Sequence, residues 1–307
     1  MSGRLVAITG ASGFVGSYLL SHLRDAALPV VGITRDGVAG TRAVGDLALE
    51  PRWHDCLKGV GTVVHCAAVA HKPLDGSDEA RSLVNRVNFD AVKRLAEACL
   101  VSGVKRLLFL STVKVYGEST SGRSPFAEGD ALDPEDDYGA SKARAEAALK
   151  ELIGQGLEVC CLRLPLVYGP GAKANFRRLQ TLATAPIPLP LGAIKNRRSV
   201  LALSNLAEVV AGMLALDEWP VTELNVADPE PVSVPDLVRM LASAQGNRAR
   251  LFPVPVWLLR GVAGLFGRQA MLERVAGSLE VSTARCADVL PQTHLDSTHL
   301  CVQRLYR

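Results

Sequence analysis

An α/β fold, with a doubly wound parallel sheet and a smaller C-terminal lobe, is what the sequence predicts. Three observations predict it. Short apolar, β-branched runs alternate with stretches of helical periodicity through the first half of the chain, the pattern of crossover units feeding a parallel sheet. The first of those runs ends in a glycine-rich turn that opens a helix. After Leu164 the alternation stops, and Pro165, Pro170, Pro186, Pro188 and Pro190 punctuate the next stretch of chain, so a second lobe is expected there.

Each element has its own signature in the chain. Leu5–Ile8 is a short apolar run bounded by Thr9 and Gly10 and reads as a buried parallel strand. Residues 14–27 place Phe14, Val15, Leu19, Leu20 and Leu23 on one side of a helix. Val30–Ile33, Gly61–His65, Val104–Leu110 and Leu157–Leu164 read as further strands, and Val87–Leu100 and Tyr138–Ile153 as amphipathic helices. In the second half, Ser199–Leu203 reads as a strand and Asn205–Asp217 as a helix, with Glu223–Val226 returning to the main sheet. The expected division is residues 1–165 plus a return segment at about 199–226 in one domain, and 166–198 plus 227–307 in the other.

Composition narrows the function classes. The chain has 307 residues, 48% hydrophobic and 21% charged, which excludes disorder and a coiled coil. The net charge is +3, from 34 basic and 31 acidic residues without a polybasic block, so no nucleic-acid partner is expected. Seven cysteines without a CxxC pair argue against a disulfide framework or a metal site and fit a cytoplasmic protein. The opening Met1–Gly10 reads as a strand entering glycines rather than as a secretory leader. Leu251–Gly267 is the longest apolar stretch near the C-terminus, but Arg260 and two prolines interrupt it. It is expected to be a buried or interlobe helix in preference to a membrane-surface segment, the alternative, and without stable membrane insertion.

The first turn reads Thr9-Gly10-Ala11-Ser12-Gly13-Phe14-Val15-Gly16. Gly10 permits a tight turn, Gly13 lets backbone approach a pyrophosphate, and Gly16 lets the helix pack on the sheet. The helix N-terminus offers free N–H groups to the anion, so Gly10, Ser12, Gly13, Phe14 and Gly16 are candidate contacts of a dinucleotide in a Rossmann-type domain. At the end of the second strand stand Thr34, Arg35 and Asp36. A planar guanidinium suits a ribose 2′-phosphate, which makes NADP(H) the expected cofactor, with Asp36 leaving NAD(H) open.

Tyr138 and Lys142 are four residues apart on a helix and share a face. A free phenol is a poor base at neutral pH, and a nearby ammonium favours its ionised form, so the pair can move a proton while hydride moves elsewhere. Thr112 ends a parallel strand at its carboxyl end, where ligand crevices open, and its hydroxyl can hydrogen-bond a reacting oxygen.

In this order, TGASGFVG at 9–16, GDL at 45–47, HCAA at 65–68, VNFDA at 87–91, STVKVYG at 111–117, YGASK at 138–142 and LRLPLVYGPG at 162–171 resemble the extended short-chain dehydrogenase/reductase family, in its nucleotide-sugar epimerase/dehydratase branch. The resemblance implies that Gly10, Gly13 and Gly16 cradle the cofactor phosphates. Asp46 then contacts the adenine with Leu47 beside it, and Ala67 and Ala68 line the cofactor path. Asn88 supports the local backbone. Thr112, Tyr138 and Lys142 form the catalytic triad, Lys142 also holding the nicotinamide ribose.

The same resemblance makes a UDP-sugar the expected partner. Arg198 is implied at the substrate pyrophosphate, and Lys173 and Asn175 near the nucleotide with Phe176 packing close by. His71 and Lys72 would face the sugar. Leu166 stands where relatives have asparagine, and Asn205 where they have aspartate. GPGAKANF at 169–176 and IPLPLG at 187–192 look like a narrower group that reduces UDP-4-keto-6-deoxy-N-acetylglucosamine for surface polysaccharides such as O-antigen. The implied function is therefore 4-keto reduction. A UDP-N-acetylhexosamine 4-epimerase is the alternative, and a non-catalytic NADP-binding regulatory protein the alternative of another class. Relatives that pair through the two amphipathic helices imply a homodimer.

Overall fold

The computed structural model describes residues 5–38, 40–70, 77–172 and 174–306. The first half runs β1 (Leu5–Thr9), α1 (Phe14–Asp25), β2 (Val30–Thr34), β3 (Arg42–Ala43), α2 (Trp53–Cys56), β4 (Val60–His65), α3 (Asp78–Asn85), α4 (Ala91–Ser102), β5 (Arg106–Thr112) and α5 (Asp137–Lys150). Then come β6 (Glu158–Leu164), β7 (Leu166–Tyr168), α6 (Ala174–Ala183), β8 (Val200–Ala202), α7 (Leu203–Ala215) and β9 (Glu223–Asn225). The chain ends in α8 (Val234–Ala244), α9 (Val256–Leu265), α10 (Gln269–Ala276), α11 (Ala284–Val289) and α12 (Thr298–Arg304).

Seven strands form a sheet in the order β3-β2-β1-β4-β5-β6-β9, every pair parallel. The winding reverses between β1 and β4, so a crevice opens there beyond the strands' carboxyl ends. Successive residues in a strand face opposite ways, and both faces are buried. Ile8, Val64, Leu108 and Leu162 meet Leu19 and Leu23 of α1 and Val209 and Met213 of α7. Ala7, Val63, Leu107 and Cys161 meet Trp53, Leu95, Ala145 and Leu149 on the other side. That two-sided burial explains why the strands read as continuous apolar runs.

A smaller unit packs beyond the sheet. β7 pairs with β8 in a separate two-stranded sheet, and Phe176, Val238, Leu241 and Val302 from α6, α8 and α12 form its core with Tyr168 and Val200. Of the segment 199–226, it is β9 that joins the main sheet, against β6.

Two expectations need correction. The helix read from Val87 is preceded by α3, capped by Ser77, and by a π-helical turn over Arg86–Asp90. That turn delivers the buried Asn88, which accepts from the Val69 N–H at 2.8 Å and donates to the Val69 carbonyl and Ser141 Oγ, each at 3.1 Å. Three fixed partners hold a local winding that apolar spacing does not reveal. The stretch Leu251–Gly267 is not buried: α9 has no buried residue. Its hydropathy marks it for burial, yet none of the described residues covers its outward side.

One polar contact lies inside the apolar frame. Arg163 of β6 and Glu146 of α5 are each about 1% exposed and pair at 2.6 Å. Arg163 also donates to the Tyr116 hydroxyl at 2.7 Å and to the Glu128 carbonyl at 3.2 Å, and the Ser111 hydroxyl donates to Glu146. Removing one partner strands the other charge in a low-dielectric interior, so Glu146→Ala is expected to destabilise the fold by about 3–5 kcal/mol. Urea unfolding of the variant against the parent chain measures it.

Candidate active site

The β1–α1 turn is built by close backbone approach. Gly10 has φ +64, and a Cβ there would lie 2.9 Å from the Ala67 Cα. A Cβ on Gly16 would lie 2.3 Å from the Gly10 carbonyl oxygen. Ser12 and Gly13 are exposed and Phe14 is half-buried. Helix α1 has no side-chain cap at Gly13 and no acid in its first turn, whereas Ser77, Asp136, Ser233 and Ser297 cap α3, α5, α8 and α12. An uncapped N-terminus behind bare glycine backbone fits a dinucleotide's pyrophosphate in both charge and space.

The Thr9 side chain ties this turn to β4. Its hydroxyl lies 2.8 Å from His65 Nδ1 and accepts from the Cys66 N–H at 3.2 Å. Burial, with Lys142 nearby, lowers the His65 pKa to about 3, so the ring is neutral at physiological pH. Ala67 and Ala68 lie on the loop past β4, half-buried and exposed. Across the crevice, Thr34 ends β2 with its hydroxyl engaged by Thr41 and the Gly37 N–H. Arg35 and Asp36 beyond it are both exposed. Asp46 and Leu47 are half-buried, and Asp46 Oδ1 accepts from the Ala48 N–H at 2.9 Å.

Thr112, Tyr138 and Lys142 are brought to one end of the sheet. Thr112 is the last residue of β5, and its Oγ1 accepts from the Lys114 N–H at 3.3 Å, which leaves its own proton to give. Tyr138 sits in the first turn of α5, where Asp136 Oδ1 caps the Gly139 N–H at 2.7 Å. Lys142 is buried one turn on and donates to the Leu110 carbonyl at 2.7 Å, its ammonium 4.2 Å from the centre of the Phe109 ring. Burial lowers its pKa to about 8, against the opposing pull of Cys66 and Glu146.

Here the expected electrostatics differ. Tyr138's phenol is pushed above the ordinary tyrosine value, by burial first and by the Asp136 carboxylate second.

The sequence reading missed the residues that set this geometry. Lys114 Nζ lies 2.6 Å from both Glu118 Oε1 and Asp136 Oδ2. Burial disfavours its charge, but the two carboxylates outweigh that and hold the ammonium firmly protonated. Lys114 thereby joins the loop after Thr112 to the cap of the helix carrying Tyr138. A Cβ on Gly139 would lie 2.7 Å from the Lys114 carbonyl oxygen, so that helix start needs a glycine. An available signal was Asp136 itself, an N-cap residue type followed by a second acid, Asp137, just before the helix read from Tyr138.

On the substrate side, Arg198 is half-buried and donates to the Gly277 carbonyl at 2.9 Å. Burial lowers its pKa, with Glu118 opposing, whereas its neighbour Arg197 is exposed and paired with Glu280. Lys173, His71 and Lys72 lie outside the described residues. Asn175 falls in the first turn of α6. Phe176 is fully buried and stacks on Tyr168 at 5.3 Å, so it supports the lobe's core rather than a ligand. Asn205 is likewise structural, donating to Asp228 Oδ1 at 2.7 Å and to the Asp296 carbonyl at 2.8 Å.

Two kinetic outcomes are expected. Tyr138→Phe keeps the ring and removes the transferable proton, so kcat should fall about 100-fold or more with cofactor affinity retained. Lys142 loses its charge above about pH 8, so kcat/KM, which reports the free enzyme, is expected to decline above that pH. A pH–rate profile checks this, and Lys142→Arg should move the limb upward.

Comparison with known proteins agrees with the geometry. The model of the NAD dependent epimerase/dehydratase family matches residues 6–227. The chain is 36% identical over 299 residues to a UDP-glucose 4-epimerase of Vibrio cholerae, covering 94% of this chain and 91% of that one. Among solved structures it resembles MoeE5 in complex with UDP-glucose and NAD, with TM-score 0.77, 25% identity, and 98% and 97% of the two chains covered. It also shares its fold with the UDP-N-acetylglucosamine 4-epimerase of Bacillus cereus, with TM-score 0.78, 20% identity, and 99% and 98% covered. By this family model over residues 6–227 and this relative, the chain belongs to the NAD dependent epimerase/dehydratase family.

Proposed function

We propose that the protein is a UDP-sugar 4-epimerase acting on a UDP-hexose or UDP-N-acetylhexosamine. The observation that carries this reading is the set Thr112, Tyr138 and Lys142 at the carboxyl ends of the strands, in a chain matched over nearly its whole length by a UDP-glucose 4-epimerase. Gly10, Ser12, Gly13, Phe14 and Gly16 would hold the pyrophosphate of NAD, Asp46 and Leu47 its adenosine end, and Ala67, Ala68 and Lys142 its nicotinamide end. Bound there, NAD supplies a reversible two-electron acceptor at the sugar C4.

The chain's own residues do the rest. Tyr138 moves the proton of the C4 oxygen, and Thr112 hydrogen-bonds that oxygen as its charge changes, so both act where charge develops. Lys142 presents its ammonium beside them. Arg198 compensates the substrate's phosphates, with Lys173 and Asn175 near the nucleotide. A homodimer through α4 and α5 in the cytoplasm, serving surface-polysaccharide synthesis, completes the reading.

A second reading, reduction of a UDP-4-keto-6-deoxy-N-acetylhexosamine by NADPH, has two observations in its favour. Tyr138 is held protonated, as a donor to a developing alkoxide must be. Arg35 is the first exposed side chain beyond β2, ahead of the exposed Asp36. One pair of assays separates the readings. Purified protein with NAD and UDP-N-acetylglucosamine or UDP-glucose is expected to form the C4 epimer, detected by proton NMR. Stoichiometric NADPH consumption on the 4-keto sugar, without epimer formation, would transfer the assignment to the reductase. In that case Arg35→Ser is expected to weaken NADPH about tenfold and leave NADH unchanged.

A further inference from the structure

The helix that the sequence marks for burial is presented to solvent instead. Trp257, Leu265 and Phe266 are 72%, 86% and 74% exposed, and Leu258, Val262 and Met271 are exposed beside them. At 100° per residue, Trp257, Leu258, Gly261, Val262 and Leu265 fall on one side of α9. Arg260 lies on the opposite side and reaches across to Glu273 of α10, at 2.8 and 3.2 Å. Scattered exposed apolar residues need no explanation, but a contiguous face built on one helix does.

This face is held in place from behind. The Val275 and Gly277 carbonyls at the end of α10 each accept from Asn196 Nδ2 at 3.0 Å, and Gly277 accepts from Arg198 as well. The chain enters α9 through exposed Phe252, on a segment paired with the strand-like run at Leu189, two residues beyond exposed Ile187.

Charge selects the occupant. Between Asp236 and Glu273 the chain carries Arg239, Arg248, Arg250, Arg260 and Arg268 and no acidic residue. Arg248, Arg250 and Arg268 are exposed, and Glu273 is already engaged by Arg260. A two-fold contact with a second copy would bring these arginines together with no free carboxylate from the same segment to meet them. An apolar face with tryptophan and phenylalanine, flanked by arginines, matches the boundary of an anionic bilayer. We propose that the α9–α10 hairpin docks the protein on an anionic phospholipid surface, lying in the interface without crossing it. This does not rest on which C4 reaction the active site performs.

The test is co-sedimentation of the full chain with phosphatidylcholine vesicles, with and without phosphatidylglycerol, at low and high salt. Binding to the anionic vesicles is expected, weakened by salt. Leu265→Glu with Phe266→Glu should lower the partition coefficient at least about tenfold. Arg248→Ser with Arg268→Ser should lower it about fivefold per arginine on anionic vesicles only. Activity of the soluble variants should stay at the parent level. Quenching of Trp257 fluorescence by brominated lipid gives the same decision in the unaltered chain, should a variant fail to fold. Absence of binding at low salt, or binding that survives the paired glutamates, overturns the proposal. So does a dimer in light scattering that the glutamates dissolve without vesicle binding, which would assign the face to a second copy.

Discussion

The buried pair between Glu146 and Arg163 is the contact on which the site's geometry depends. Glu146 lies one helical turn beyond Lys142 and two beyond Tyr138, on the same side of α5. Its partner stands on β6, and the Ser111 hydroxyl on β5 joins the same carboxylate. The helix is thereby bolted to two adjacent strands where they end, with both charges out of water. Arg163 extends the network through Tyr116 to Asn225 of β9. Misplacing α5 would leave one of these charges unpaired, and that cost selects a single seating of the helix. Apolar packing by small residues such as Ala145 would tolerate several.

A second brace acts at the mouth. Lys114 holds Asp136 and Glu118 together, and Asp136 caps the helix bearing Tyr138. Asp136 thus has two duties: it fixes where α5 begins, and its carboxylate adds to the burial that keeps Tyr138 protonated. The electrostatics around Tyr138 are thus set in part by this brace, whose residues lie outside the Thr112, Tyr138 and Lys142 set.

Much of the fold was legible because parallel strands buried on both faces leave continuous apolar runs, and because glycines at a strand–helix turn have few other uses. Leu5–Ile8, Val30–Ile33 and Leu157–Leu164 fall inside or within a residue of observed strands. The candidate residues at the glycine turn and on α5 were legible from spacing. Less so was the π-helical turn at Arg86–Asp90, which exists because Asn88 finds partners on Val69 and Ser141, remote in sequence. The stacking of Phe176 on Tyr168 was not legible for a similar reason, since the two residues meet only in the folded lobe.

By itself, the sequence determined the αβ alternation, the glycine-rich turn from strand to helix, and the presence of a tyrosine and a lysine one helical turn apart. Those properties are local: each depends on residues within a few positions of one another, through backbone conformation and helical period. Only the tertiary structure decided that Lys142 would point at the Leu110 carbonyl, that Arg198 rather than Arg197 would be the half-buried cation, and that the apolar helix α9 would face outward. Each of these turns on which distant groups come within a few ångströms, and hence on local dielectric and available partners. Hydropathy and spacing along the chain carry no record of that.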